Sequence, residues 1–165
     1  MRIAMCAVLK MEEIYVRDWI DHYLKLGVDK FYLYDNNDPD YQFPLRGMIQ
    51  DYIADGTVEL NEEYVGNHGP IQGPIYNQCL REHRLEYDWM VFFDIDEYLF
   101  LHKHSDLKEY LSQEMFSDAH ACFPWTMYDE GDDVSEYQPS PVDKRFTHIS
   151  NENRKCIKSI VNCKF

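Results

Sequence analysis

Residues 92–98 read Phe-Phe-Asp-Ile-Asp-Glu-Tyr, a hydrophobic segment that ends in Asp94, Asp96 and Glu97. In an extended chain alternate side chains share a face, so Asp94 and Asp96 converge on one point where the segment stops. Two carboxylates brought that close repel each other unless a proton or a cation lies between them. Hard divalent ions such as Mn2+ or Mg2+ take oxygen ligands and fill their remaining positions with water and substrate phosphates. The chemistry on offer is capture of a metal-bound phosphorylated ligand, with Asp94 and Asp96 on the metal. An Asp-x-Asp also arises as a solvated surface turn, and what sets this one apart is the apolar run Trp89–Phe93 that delivers it.

The elements that must position these acids follow from periodicity. Ile3–Leu9 is continuously apolar, the pattern of a strand buried on both faces of a parallel sheet. Glu12 and Glu13 suit a first helical turn, Val16, Trp19, Ile20, Tyr23 and Leu24 fall on one helical face, and Lys25 and Gly27 are stop signals. Lys30–Tyr34 predicts a second strand, which runs into the turn-forming loop Asp35-Asn36-Asn37-Asp38-Pro39-Asp40. Pro44 suits a first helical position, and Leu45, Met48, Ile49, Tyr52 and Ile53 make an apolar stripe up to Asp55-Gly56, before a strand over Thr57–Leu60. After a Gly- and Pro-punctuated stretch, Ile75, Tyr76, Cys79, Leu80 and His83 line a third helix that leads to the strand at 89–93.

Strands alternating with helices of this length imply right-handed crossovers and a mostly parallel sheet, with ligands at the carboxyl ends of the strands. Beyond Leu101 the pattern predicts a helix capped by Ser105 and running through Met115, a strand over Ala121–Met127, a loop over 128–143 and a last strand at Ile157–Val161. No closing helix follows before Phe165, which predicts a C-terminally truncated version of the fold.

The 165 residues match the usual size of one domain, and 45% hydrophobic content excludes a disordered chain. A formal charge of −14 would repel a phosphate backbone and argues against a nucleic-acid partner. Residues 143–165 differ: six basic residues face only Asp143 and Glu152, for a local charge of +4, which is either a solvated basic end or a stretch that meets phosphate. Five cysteines without a CxxC pair fit a reducing, cytoplasmic setting. There is no signal-peptide core and no apolar run of transmembrane length, so any membrane association is left to segments outside residues 1–165.

The stretch over residues 9–40, with Tyr76–Leu80 and the segment at 88–99, resembles the nucleotide-sugar glycosyltransferases of the A-type fold. It is most similar to the branch related to glycosyltransferase families 2 and 92, whose pattern is a Lys-Asn-Glu strand end, a helix ending in Leu-Gly, a Tyr-Asp-Asn strand end and an Asp-x-Asp-Glu-Phe motif. The resemblance implies an α/β, Rossmann-like, mostly parallel sheet flanked by helices, forming one domain over 1–165 with a nucleotide-sugar-binding half at 1–101 and a partial acceptor-side half at 102–165. It implies Mn2+- or Mg2+-dependent transfer, with inversion, of a sugar from a nucleotide diphosphate donor, a UDP-sugar first, to a glycan or other hydroxyl acceptor.

Carried over by residue, the resemblance makes Asp96 a direct metal ligand, has Asp94 hold the ribose or the metal through water, and has Glu97 brace the turn. Asp35 would meet the base beside Lys10 and Glu12, with Met11 standing where the family has Asn. Gln72 and Asn77, flanking the third helix start, would reach ribose or phosphate. Inverting transfer needs a carboxylate to deprotonate the acceptor, and Asp129 and Glu130 are the first candidates, with Asp132 and Asp133 beside them. Acids in such a Gly-containing loop can equally be solvated, and the family more often has a Trp-x-x-Phe-Gly loop there. A further metal-binding His follows the Lys158–Val161 segment in the family; here the sequence ends four residues later. His68 is a further ligand contact that the Gly-rich loop could offer.

Two other functions fit parts of the pattern. A haloacid dehalogenase-like phosphatase also ends an apolar strand in Asp-x-Asp, though on its first strand, whereas here the motif closes the fourth. A nucleotide-sugar-binding fragment without turnover is the non-enzymatic alternative.

Overall fold

The computed structural model describes residues 1–124, 126, 128, 129, 148, 149 and 157–165. In chain order its elements are β1 (Ile3–Leu9), α1 (Glu13–Lys25), β2 (Lys30–Asp35), α2 (Leu45–Met48), α3 (Gln50–Ala54), β3 (Val58–Asn61), α4 (Gln72–His83) and β4 (Trp89–Phe92). There follow α5 (Leu107–Leu111), a 3-10 turn at Glu114–Phe116, β5 (Ala121–Pro124), β6 (Tyr128–Asp129), β7 (His148–Ile149) and β8 (Ile157–Asn162).

The apolar run of β1 is buried because the strand sits in the middle of the sheet, whose order is β3-β2-β1-β4-β8-β5. The first four of these strands are parallel, as the alternation of strands and helices predicts. β8 breaks the rule: it runs antiparallel to both β4 and β5, with Ser159 level with Phe92 on one side and Cys122 on the other. β6 and β7 form a separate antiparallel pair.

Both faces of the sheet are covered. The larger core gathers Trp19, Ile20 and Tyr23 of α1 with Phe31, Leu33, Val91 and Phe93, and with Leu107 and Leu111 of α5. The smaller core, on the opposite face, packs Ile75 and Cys79 of α4 against Ala4, Cys6, Tyr34, Met90 and Phe92. No helix among the described residues is long and apolar enough to cross a membrane.

Five local expectations need correcting. The stripe from Leu45 to Ile53 is not one helix: fully buried Ile49 takes φ −123°, ψ 22°, and cuts it into α2 and α3, with helix-averse Gly47 just before the break. The cap of α5 is Asp106, whose carboxylate accepts the Glu109 N–H at 2.8 Å, while the Ser105 hydroxyl donates instead to the Glu109 carboxylate at 2.9 Å. That helix ends at Leu111, and Met115 belongs to the separate 3-10 turn. The strand from Ala121 ends at Pro124, which has no N–H to carry the ladder on. Tyr128–Asp129 pairs as β6, and the rest of the expected loop over 128–143 lies outside the described residues.

Candidate functional site

From β1 the chain winds outward to β2 and β3, then returns through α4 to place β4 on the other side of β1. The loops leaving β1 and β4 therefore part, and a cleft opens where the winding reverses, the usual ligand position in such sheets. It has a volume of about 590 Å³ and is lined by Val8, Lys10, Glu12, Asn36, Asp94 and Asp96, with the loop and helix start at 69–73 along one wall.

The acidic turn after β4 is held from two sides. Within it, Glu97 braces the backbone by accepting the Asp94 N–H at 3.0 Å. From behind, α1 reaches its carbonyls: the Trp19 indole N–H donates to Asp94 O and Glu97 O, and the Tyr23 hydroxyl donates to Glu97 O at 3.0 Å while accepting the Leu99 N–H. One helical turn of α1 also brings His22, whose Nε2–H donates to Leu99 O at 2.9 Å. The apolar stripe that buries α1 thus carries the polar atoms that fix the turn's shape.

In front, the side chain of Asp94 is bonded at both oxygens. Oδ1 accepts from the Gln72 amide at 2.5 Å and the Tyr76 hydroxyl at 3.1 Å, both on α4. Oδ2 accepts from Lys158 Nζ at 2.6 Å, and the same ammonium lies 3.1 Å from Glu97 Oε1. One oxygen each of Asp94, Asp96 and Glu97 lie within 4.8 Å of one another. Carboxylate oxygens gathered this tightly are the donor set that a hard divalent cation takes, and the residues fit such an ion.

The electrostatics follow from packing acids into a cleft. Burial, and then the neighbouring charge of Asp94, pushes the Asp96 carboxyl above its ordinary value; burial does the same to Glu97. Glu12, across the cleft, is pushed up to about 7 by burial, with the charges of Asp96, Asp94 and Glu13 adding to the effect against a hydrogen bond from the Lys10 backbone. Burial alone would lower Lys158, but its hydrogen bond to Asp94 and the charges of Asp94 and Glu97 outweigh it, and the ammonium is held above its usual range.

The strand ends on the other wall are tied together by side chains of the Asp-Asn-Asn loop. Asn36 donates to the carbonyls of Tyr64 and Asn67 at 3.0 and 2.7 Å, and Asn37 Oδ1 accepts the Met11 N–H at 2.7 Å. Met11 has φ +59°, in the left-handed region, so the turn between Lys10 and Glu12 is built on a conformation that Asn or Gly adopts more readily.

Of the residues expected at the site, Lys10, Glu12, Gln72, Asp94 and Asp96 line the cleft. Asp35 is buried at the end of β2, where its Oδ1 accepts the Asn37 N–H at 2.8 Å and burial raises its carboxyl; it is absent from the lining. Asn77 lies a turn further along α4, donating to Gly73 O at 3.0 Å, and is also off the lining. His68 is exposed and 3.7 Å from Asp38. Asp129 is described only as a strand residue opposite His148, and Glu130, Asp132 and Asp133 lie outside the described residues. Sequence reasoning missed Asn36, Tyr76 and Lys158. The first has a visible signal in the Asp-Asn-Asn loop, and Tyr76 shares the α4 face with Gln72 four residues before it.

The profile of glycosyltransferase family 92 matches residues 3–164. A glycosyltransferase family 92 protein of Ricinus communis is 27% identical over 106 residues, which cover 62% of this chain and 17% of that protein. One of Arabidopsis thaliana is 25% identical over 103 residues, covering 62% of this chain and 17% of its own length. The chain thus spans about a sixth of these relatives. Among solved structures, TarS of S. aureus superposes with a TM-score of 0.45 and 17% identity over 59% of this chain and 28% of its own. A mannosyltransferase of Pyrobaculum calidifontis, solved with GDP-Man and Mn2+, has a TM-score of 0.49 and 13% identity over 68% of this chain and 33% of its own.

Proposed function

The chain belongs to glycosyltransferase family 92, and on that premise we propose that its cleft binds a nucleotide diphosphate sugar with a divalent cation and supports transfer of the sugar to a hydroxyl acceptor. The observation that carries this reading is the gathering of Asp94, Asp96 and Glu97 at the reversal of the sheet, where Asp94 and Asp96 line a cleft of about 590 Å³. Asp96 and Asp94 are the residues to hold Mn2+ or Mg2+; when bound, the ion serves as a Lewis acid toward the leaving diphosphate. Gln72 and the amides at the start of α4 border the space for the diphosphate, where an N-terminal helix end favours anions. Asn36, Lys10 and Glu12 border the nucleoside end, with Asp35 behind them.

Transfer with inversion requires a carboxylate on the acceptor side to take the hydroxyl proton, and Asp129 or Glu130 is our choice for that base. A UDP-sugar is the first donor to test and a glycan the first acceptor. The free thiols Cys6, Cys79, Cys122 and Cys163 support a reducing, cytoplasmic setting.

The test is calorimetric titration of UDP and of a UDP-sugar panel, with Mn2+ or with EDTA, on the parent chain and on Asp96→Ala, joined to a hydrolysis assay. Binding should require the cation and should vanish in Asp96→Ala, whose fold should persist because a carboxylate at a strand end adds little to the core. Equal binding in EDTA rejects the metal assignment. Turnover of phosphomonoesters in preference to nucleotide sugars would mark a phosphatase, and cation-dependent binding with no hydrolysis would mark a binding module.

A further inference from the structure

Lys158 reaches the acidic turn from β8, the strand that runs antiparallel beside β4. β8 runs antiparallel to β4 with Ser159 level with Phe92, so Lys158 stands just past the end of β4, beside Asp94. Its ammonium lies 2.6 Å from Asp94 Oδ2 and 3.1 Å from Glu97 Oε1, and its side chain is only 19% exposed. It therefore sits on carboxylate oxygens of the cluster that a divalent cation would need.

Resting on the donor reading above, we propose that Lys158 is an exchangeable counter-ion: it neutralises Asp94 and Glu97 while no donor is bound, and passes to the donor's diphosphate when a divalent cation takes the carboxylates. An ammonium and a divalent ion cannot share these oxygens without strong repulsion at contact distance. Lysine is suited to exchange, being a compact charge with three donors on a flexible four-carbon stem. A diphosphate held in the cleft beside the cation places anionic oxygens within that stem's sweep, so the displaced ammonium gains new partners instead of being left half-buried and unpaired. Metal alone must evict the lysine with nothing to receive it, whereas a diphosphate bound with the metal offers the displaced ammonium an anionic partner. The two ligands consequently raise each other's affinity by one common factor.

The experiment uses the 165-residue chain, Lys158→Met and Lys158→Arg, with MnCl2 and inorganic pyrophosphate as probes. Free Mn2+ is followed by electron paramagnetic resonance and pyrophosphate by calorimetry. For the parent, saturating pyrophosphate should tighten Mn2+ binding about tenfold or more, a coupling within the usual range. Lys158→Met should bind Mn2+ alone about tenfold tighter than the parent and pyrophosphate at saturating Mn2+ about tenfold more weakly, as expected when one contact charge is removed. Lys158→Arg, which keeps the charge, should hold Mn2+ alone as weakly as the parent. Unchanged Mn2+ affinity in Lys158→Met, with pyrophosphate binding intact, overturns the role of Lys158 while leaving the donor reading in place. If no variant binds Mn2+ or pyrophosphate, the donor reading fails and takes the proposal with it. Should Lys158→Met lose its circular dichroism spectrum, the parent's own coupling decides: the absence of any coupling overturns the exchange.

Discussion

Trp19 donates its single indole N–H to the carbonyls of both Asp94 and Glu97, at 3.0 and 3.1 Å. A fully buried core residue thereby spans the three-residue interval that sets how the acidic side chains project.

Removing that donor while keeping an aromatic ring tests the link. Trp19→Phe removes one of two donors from each carbonyl, since the Glu97 N–H still reaches Asp94 O and the Tyr23 hydroxyl still reaches Glu97 O, and the net loss of a hydrogen bond costs about 0.5–1.5 kcal/mol. Urea denaturation should show a loss of that order, and Mn2+ affinity should fall because the turn is less firmly shaped. A variant as stable as the parent and equally avid for Mn2+ would show the turn to be self-supporting.

Glu12 gives the protein a pH dependence of definite sign. Its carboxyl is raised from 4.5 to about 7, first by burial and then by the charges of Asp96, Asp94 and Glu13, so the folded chain holds this proton more tightly than the unfolded chain does. The resulting stabilisation is complete below about 4.5 and is lost as pH rises through about 7. In EDTA, the melting temperature of the parent should therefore carry a falling component across this window that Glu12→Gln lacks. Asp96 and Glu97 are also raised, so part of the decline should persist in the variant. Parallel curves for the two chains would remove Glu12 from the account.

Met11 holds φ +59° with its N–H bonded to Asn37 at 2.7 Å. A left-handed conformation costs an ordinary L-residue about 1–2 kcal/mol, and Asn tolerates it better. Met11→Asn should raise stability by about 0.5–1 kcal/mol in chemical denaturation. No gain would mean that the exposed methionine side chain makes contributions of its own.

The parallel half of the sheet was legible because its strands are locally marked: Ile3–Leu9 and Trp89–Phe92 are apolar without interruption, and each is followed by the polar residues of the cleft. Asp94, Asp96, Lys10 and Glu12 could be put beside the cleft for that reason, and Gln72 because it stands at the start of α4. Lys158 could not, since its partner Asp94 is 64 residues away and the contact depends on β8 being antiparallel, a choice that hydrophobic runs do not encode. The break at Ile49 was hidden for a related reason: a helical stripe records which residues are buried, and Ile49 stays buried by leaving the helix. Nor could the helix cap be chosen between adjacent Ser105 and Asp106 by residue type, because both suit the role.

The unequal cores on the two faces of the sheet have a dynamic consequence. α1 buries Glu13, Val16, Trp19, Ile20 and Tyr23, whereas α4 buries only Ile75 and Cys79. Opening on the α4 side exposes less apolar surface, so its amides should exchange with deuterium well before those of α1. Each such opening carries Gln72 and Tyr76 away from Asp94, leaving Oδ1 without the two donors it has in the closed state. The wall of the cleft that borders the proposed diphosphate space is then its breathing wall, and the α1 wall a fixed one. Hydrogen-exchange mass spectrometry should find protection rising on α4 when nucleotide diphosphate and Mn2+ are added, with α1 already protected without them.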